Sequence, residues 1–146
     1  MSHYSDKDLT NDFIHKKYDQ DSKYLKPNGF WITDDNPGNW ADWCKSEDFS
    51  IHRLKYKHRF VVDTTKLLFL KFADIDKFIK KYQVAEATVY ATRSIDWNKV
   101  ANDFDGIMIF PYHRCFNSGL WYYALDCNSG CIWNTNCLQL VGVEHE

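Results

Sequence analysis

The stretch that most constrains the fold runs from Phe104 to Asn134, FDGIMIFPYHRCFNSGLWYYALDCNSGCIWN. An apolar run from Gly106 ends abruptly at Pro111. A polar loop follows, then a second run from Leu120 to Leu125, then Asp126. Cys127-Asn128-Ser129-Gly130 makes a tight turn, and Cys131 to Trp133 closes the stretch. Runs this short, rich in aromatic and β-branched residues and bounded by Gly, Pro, Asn and Ser, predict buried strands. Polar residues sit hard against the strand ends. A packed sheet holds side chains rigidly there, as chemistry requires.

A chain of 146 residues is most simply one domain, residues 1–146, and is long enough to bury a core. A net charge of −2 removes any bulk electrostatic case for binding nucleic acid. No run reaches the roughly 18 apolar residues that a membrane span needs. The opening MSHYSDKDLT is polar and lacks the apolar core of a signal peptide. An intracellular, cytoplasmic protein is the expectation.

His3-Tyr4-Ser5 is short but offers an aromatic to begin a strand. Leu9, Phe13, Ile14 and Tyr18 recur at roughly helical spacing, which predicts an amphipathic helix over Asp8 to Tyr18. Lys26-Pro27-Asn28-Gly29 is a turn signal, and Phe30 to Thr33 a short strand. Asn39 is a suitable cap for a helix from Trp40 through Glu47, with Trp40, Trp43 and Cys44 on one face. Strands are expected over Phe49 to Leu54, Lys57 to Val62 and Lys66 to Lys71. Asp74 to Tyr82 reads as a helix with Ile75, Phe78, Ile79 and Tyr82 aligned. Gln83 to Thr92 reads as loop with a short strand. Ser94 is the expected cap of a helix through Phe104, and Leu138 to Val143 is the last strand. Helices and strands mix without a βαβ rhythm, so the predicted class is α+β.

The common signatures G-x-G-x-x-G, the Walker loop, G-x-S-x-G and H-E-x-x-H are all missing. Of five cysteines, four follow a C-x11-C-x3-C-x5-C spacing from Cys115 to Cys137, without paired C-x2-C knuckles. Buried thiols are the simpler reading; a zinc site on Cys115, Cys127, Cys131 and Cys137 is the sharper one. An odd number without a secretory signal fits a reducing compartment better than a disulfide scaffold. His113 and Cys115 are close in sequence, but no family signature of a cysteine nucleophile surrounds them.

Several motifs occur in a telling order. His3-Tyr4-Ser5 comes first, then Lys26-Pro27-Asn28-Gly29-Phe30-Trp31-Ile32-Thr33, then Trp40 with Trp43-Cys44. Later come Ile95-Asp96-Trp97, Phe104-Asp105-Gly106-Ile107, Pro111-Tyr112, Trp121-Tyr122-Tyr123 and Asp126-Cys127 through Asn134. Together they resemble the ADP-ribosyltransferase-like proteins, over roughly Ser2 to Asn134. The resemblance implies two small packed β-sheets with flanking helices, split around a cleft that binds NAD as substrate. It implies transfer of ADP-ribose to an unknown macromolecular or small acceptor.

The family's first-strand position, which bonds the adenosine ribose, falls on His3, with Tyr4 beside it. Read from the residues alone, His3 is equally a disordered terminus. The second strand supplies Trp31 to stack on nicotinamide and Thr33 to offer a hydroxyl; otherwise these are core and a strand-end polar group. The family usually carries Glu at the acidic position, where this chain offers Asp126. A fixed carboxylate there would stabilise the cationic, oxocarbenium-like sugar as the glycosidic bond breaks. Asp126 is otherwise a turn cap for the Asn128 or Ser129 N–H. Asp105 is a second candidate, though Asp-Gly is also a turn signal. The departure from Glu leaves a non-catalytic nucleotide- or protein-binding module as the alternative.

Two surface readings remain. Strand alternation would turn Tyr122 away from Trp121 and Tyr123, leaving either an aromatic platform or core on both faces. The cluster His52 to Arg59 would put Arg53, Lys55 and Lys57 on one strand face, as a solvated edge or a diphosphate holder.

Overall fold

The computed structural model describes residues 1–84, 94–114 and 119–145. Among them the short apolar runs form two β-sheets. The first has three strands in the order β1 (Ser2–Ser5), β3 (Tyr56–Val62) and β7 (Leu138–His145). The second has four, in the order β2 (Phe30–Ile32), β6 (Ser129–Ile132), β5 (Gly106–Ile109) and β4 (Leu67–Phe69). All pairs are antiparallel except β4 with β5. With its flanking helices the fold is α+β, built on two small sheets. No helix among the described residues is long and apolar enough to cross a membrane.

The sheets pack through Phe60 and Leu138 from the first and Ile32, Leu67, Met108 and Ile132 from the second. The opposite face of the second sheet packs against two helices and the Leu120–Tyr123 turn. Helix α2 (Ile75–Tyr82) presents the aligned Ile75, Phe78, Ile79 and Tyr82, all buried, as its periodicity requires. Helix α3 (Trp97–Asp103) adds Trp97 and Val100. Asp96, not Ser94, caps it by accepting from the Lys99 N–H. Helix α1 (Trp40–Ser46) starts where Asn39 accepts from the Asp42 N–H at 3.0 Å. Its Trp40 and Trp43 rings stack 5.2 Å apart beside the buried Cys44.

Three further expectations are corrected. Asp8 to Tyr18 is not a helix. Asp8 Oδ1 accepts from both the N–H and the hydroxyl of Thr10, a local turn that competes with helix. Downstream, Phe13 is drawn into contact with Phe30 and Phe60, and Lys16 N–H donates to Thr135 Oγ1. Ile14, expected on the apolar face, is 76% exposed.

Phe49 to Leu54 is not a strand. Asp48 and Ser50 take left-handed backbone, with φ of 50° and 48°, and turn the chain into a 3-10 helix over Ile51–Leu54. Arg53 therefore lies on that turn, not on a strand face shared with Lys57.

Leu120 to Leu125 is not a strand either. Leu120–Tyr123 forms one helical turn, α4. Consecutive residues of a helix turn by about 100°, so Trp121 and Tyr122 are both buried instead of facing opposite ways. Trp121 packs on Phe78 and Trp97, and the Tyr122 hydroxyl donates to the His113 carbonyl at 2.9 Å. Core, not an exposed platform, is the fate of that pair. The short strand expected within Gln83 to Thr92 falls largely outside the described residues.

Candidate functional site

β1 and β2 belong to different sheets but touch at one end. Ser2 and Thr33 exchange both backbone bonds, each at 2.8 Å. Beyond this bridge β1 pairs with β3 and β2 with β6. A cleft of about 430 Å³ opens beside the parting. His3, Tyr4, Trp31, Thr33 and Asp126 all line it. The chain thus brings together five residues that the sequence distributes between its two ends.

His3 lies on β1, opposite His58. Its ring stacks on Phe30 with centroids 4.2 Å apart. Its Nδ1 lies 2.7 Å from the Trp31 carbonyl oxygen. A carbonyl only accepts, so Nδ1 carries the hydrogen, and Nε2 of the neutral ring holds a lone pair. Burial lowers the pKa of His3 against the raising effect of that backbone bond, with a smaller lowering from His58. The neutral, accepting form is the one the fold favours.

Trp31 is partly buried, and the Lys26 ammonium lies 5.5 Å from its ring centroid. Thr33 is buried, and its hydroxyl is committed. It donates to the Asn128 carbonyl at 2.7 Å and accepts from the Trp40 N–H at 3.2 Å. Its observed work is to tie β2 to α1 and to the turn before β6. Tyr4 packs with Trp40 and Trp43 against Ala41, Cys44 and Leu54.

Asp126 follows α4 and is exposed at the cleft. It is not a turn cap, because the Asn128 N–H donates to the Gly38 carbonyl at 3.0 Å and no bond from Ser129 reaches the carboxylate. Asp105 has the structural role: its Oδ1 accepts from Asn134 Nδ2 at 3.1 Å, and its carbonyl takes the Trp133 and Asn134 N–H groups.

Asn128 escaped the sequence reading. Its Nδ2 donates to Asp34 Oδ1 at 3.1 Å, and its Oδ1 accepts from the Tyr112 N–H at 2.8 Å. With its backbone bonds to Gly38 and Thr33 it locks the turn under the cleft to the Thr33–Gly38 stretch and to the segment after β5. No local pattern announces this, because every partner is distant in sequence. His58 carried a signal that was legible. It shares a period-2 face of β3 with Phe60, and a polar residue on a buried face implies bonded nitrogens. Its Nε2 accepts from the Leu9 N–H at 2.9 Å, and Nδ1 lies 3.2 Å from the His3 carbonyl.

The three described thiols of the C-x11-C-x3-C-x5-C spacing have separate partners. Cys131 Sγ donates to Pro27 O at 3.6 Å and Cys137 Sγ to Asn134 O at 3.4 Å. Cys127 lines the cleft, 3.5 Å from the Ser129 hydroxyl, and burial pushes its pKa up to about 11. Burial likewise raises Cys137 to about 11. These are protonated, packed thiols. Among the described residues no group of three or more His, Cys, Asp or Glu is arranged to hold a metal ion. Cys115 of the zinc and His113 pairings lies outside the described residues. No family model matches the chain, and no curated protein or solved structure matches it either.

Proposed function

We propose that the cleft binds NAD and that the protein transfers ADP-ribose from it to an acceptor, on an ADP-ribosyltransferase-like split-sheet fold. One observation carries this reading: His3, Tyr4, Trp31 and Asp126 line a single cleft at the parting of β1 and β2. Its volume of about 430 Å³ suits a small-molecule ligand.

In this reading His3 Nε2 accepts a hydrogen bond from a ribose hydroxyl. Trp31 stacks on the nicotinamide ring. Asp126 faces the nicotinamide ribose as the bond from its anomeric carbon to the ring nitrogen breaks. The bonding pair leaves with nicotinamide, and positive charge develops on the sugar, where the carboxylate stabilises it. The acceptor's nucleophile then bonds the anomeric carbon and gives up its proton. Thr33 contributes through the shape of β2, since its hydroxyl already serves Asn128 and Trp40.

A second reading has its own observation. Asp126 is exposed and accepts no hydrogen bond among the described residues, whereas a catalytic carboxylate is ordinarily held by its neighbours. That favours a module that holds NAD without turning it over. Incubation with nicotinamide-labelled NAD separates the two. Nicotinamide release that disappears in Asp126→Asn supports transfer. Saturable binding without release supports the module, and no binding at all removes both.

A further inference from the structure

The cleft carries more positive charge than the ribose and nicotinamide contacts use. Arg53 enters from the β1 side and Lys26 from the β2 side, and both line the cleft. The 3-10 turn that bears Arg53 is anchored by the buried Leu54, packed on Ala41 and Cys44. The left-handed Ser50 starts that turn, and Arg53 N–H donates to its carbonyl at 2.8 Å. Lys26 precedes the buried Pro27, which restricts its backbone to extended geometry. Its ammonium reaches the Ala124 carbonyl at 3.4 Å and overhangs Trp31.

Neither cation has a carboxylate partner among the described residues, whereas Lys57, Arg59, Lys81 and Lys99 all do. Among the described residues the one carboxylate lining the cleft is Asp126, and burial favours the neutral form of His3 there. Among the described residues the lining therefore holds two cations against one anion. Arg offers a planar fork for two phosphate oxygens and Lys a compact point charge.

We propose that Arg53 and Lys26 together hold a diphosphate, so that the ligand of this cleft is a nucleotide bridged across the gap by that group. This deepens the NAD reading and rests on it for the choice of probe. Neither position belongs to the residues that the family resemblance assigns to a role.

The test is calorimetric titration of the full chain with ADP-ribose and, separately, with adenosine, which lacks phosphate. Arg53→Gln and Lys26→Gln are each expected to weaken ADP-ribose about tenfold or more, as loss of a charge-assisted bond does. Adenosine affinity should stay unchanged, ADP-ribose affinity should fall with added salt, and Arg53→Lys should recover part of the loss. Both side chains are exposed, so unchanged melting temperatures will confirm that the variants fold. Undiminished ADP-ribose affinity in the double variant overturns the proposal, as do equal losses for adenosine or no ADP-ribose binding to the unaltered protein. Nicotinamide release at full rate in the double variant with NAD far below saturation overturns it while leaving the NAD reading intact. Tight ADP-ribose binding through the pair, with no nicotinamide released from NAD, sustains it and removes the transferase reading.

Discussion

The His3 imidazole bonds across the split between the two sheets, its Nδ1 2.7 Å from the Trp31 carbonyl oxygen. The bond fixes the tautomer and so decides what the other nitrogen offers a ligand. It also joins two strands that share no backbone ladder beyond the Ser2–Thr33 bridge. His3→Ala removes both functions. We expect a stability loss of about 1 kcal/mol from the missing bond and weaker binding of ADP-ribose by about tenfold. Denaturant titration and calorimetry read the two effects separately. An unchanged affinity alongside the stability loss would make His3 a strap and nothing more.

Thr33 should prove structural. Thr33→Val keeps the shape but strands the Asn128 carbonyl and the Trp40 N–H, at a cost of about 1–3 kcal/mol. Thr33→Ser keeps both bonds and should lie within about 1 kcal/mol of the unaltered protein. Asn128→Ala should be worse than Thr33→Val. It removes the donor to the buried Asp34 and the acceptor for the Tyr112 N–H in one step. Chemical denaturation of the three variants checks that order.

Gly29 sets how closely the Lys26–Gly29 turn approaches β6. A Cβ there would lie 2.7 Å from the Ile132 carbonyl oxygen and 2.8 Å from Cys131 Sγ. Backbone cannot yield cheaply, so Gly29→Ala should cost about 1–3 kcal/mol. The displaced turn carries Lys26, so the same variant should bind ADP-ribose less well even at temperatures where it is folded. A thermal melt and a titration at low temperature test both parts.

Stability should fall on the acid side of neutrality. The pKa of His58 and that of His3 are both lowered from 6.5, chiefly by burial. The unfolded chain therefore binds more protons than the folded one as pH drops below that value, and folding is penalised. For His58 the geometry agrees. A protonated ring would present an N–H to the Leu9 N–H that now donates to Nε2 at 2.9 Å. The melting temperature should be flat from neutrality up to the ordinary thiol value of 9.0, above which the raised Cys127 and Cys137 act, and decline as pH falls through and below 6.5. The lowered carboxylates Asp35 and Glu144 contribute in a more acid window, below their ordinary 3.8 and 4.5. His58→Gln should make the first decline shallower, leaving the part due to His3, and should leave the second unchanged.

What the sequence disclosed depended on whether the decisive contact was local. Helix α1 was legible because Asn39 caps it two residues before Ala41 and its apolar face repeats at helical spacing. The strands at Phe30, Leu67, Gly106 and Leu138 were legible as short β-rich runs between turn residues. Leu120 to Leu125 was misread because a short aromatic run fits a buried strand and a buried helical turn equally. Asp8 to Tyr18 was misread because Phe13 leaves its own segment to join Phe30 and Phe60. The cleft residues on β1 and β2 came from motif order, not from periodicity. Arg53 reads from the sequence as part of a basic strand, because Asp48 and Ser50 carry no reliable mark of the left-handed backbone that turns it toward the cleft.

Asp126 offers the sharpest separation of chemistry from stability. Its side chain is exposed and makes no hydrogen bond among the described residues, so Asp126→Asn should change the unfolding free energy by no more than about 0.5 kcal/mol. The amide is nearly the same shape and lacks the charge. If the carboxylate stabilises a cationic sugar, nicotinamide release should fall by about a hundredfold or more while ADP-ribose affinity changes little. Asp126→Glu adds one methylene to a side chain that has open space before it. It should retain part of the activity, since charge is kept and only its distance from the sugar is altered. Equal rates in Asp126→Asn and the unaltered protein would show that the carboxylate does not act on the sugar, and the chemistry would have to be sought elsewhere along the cleft.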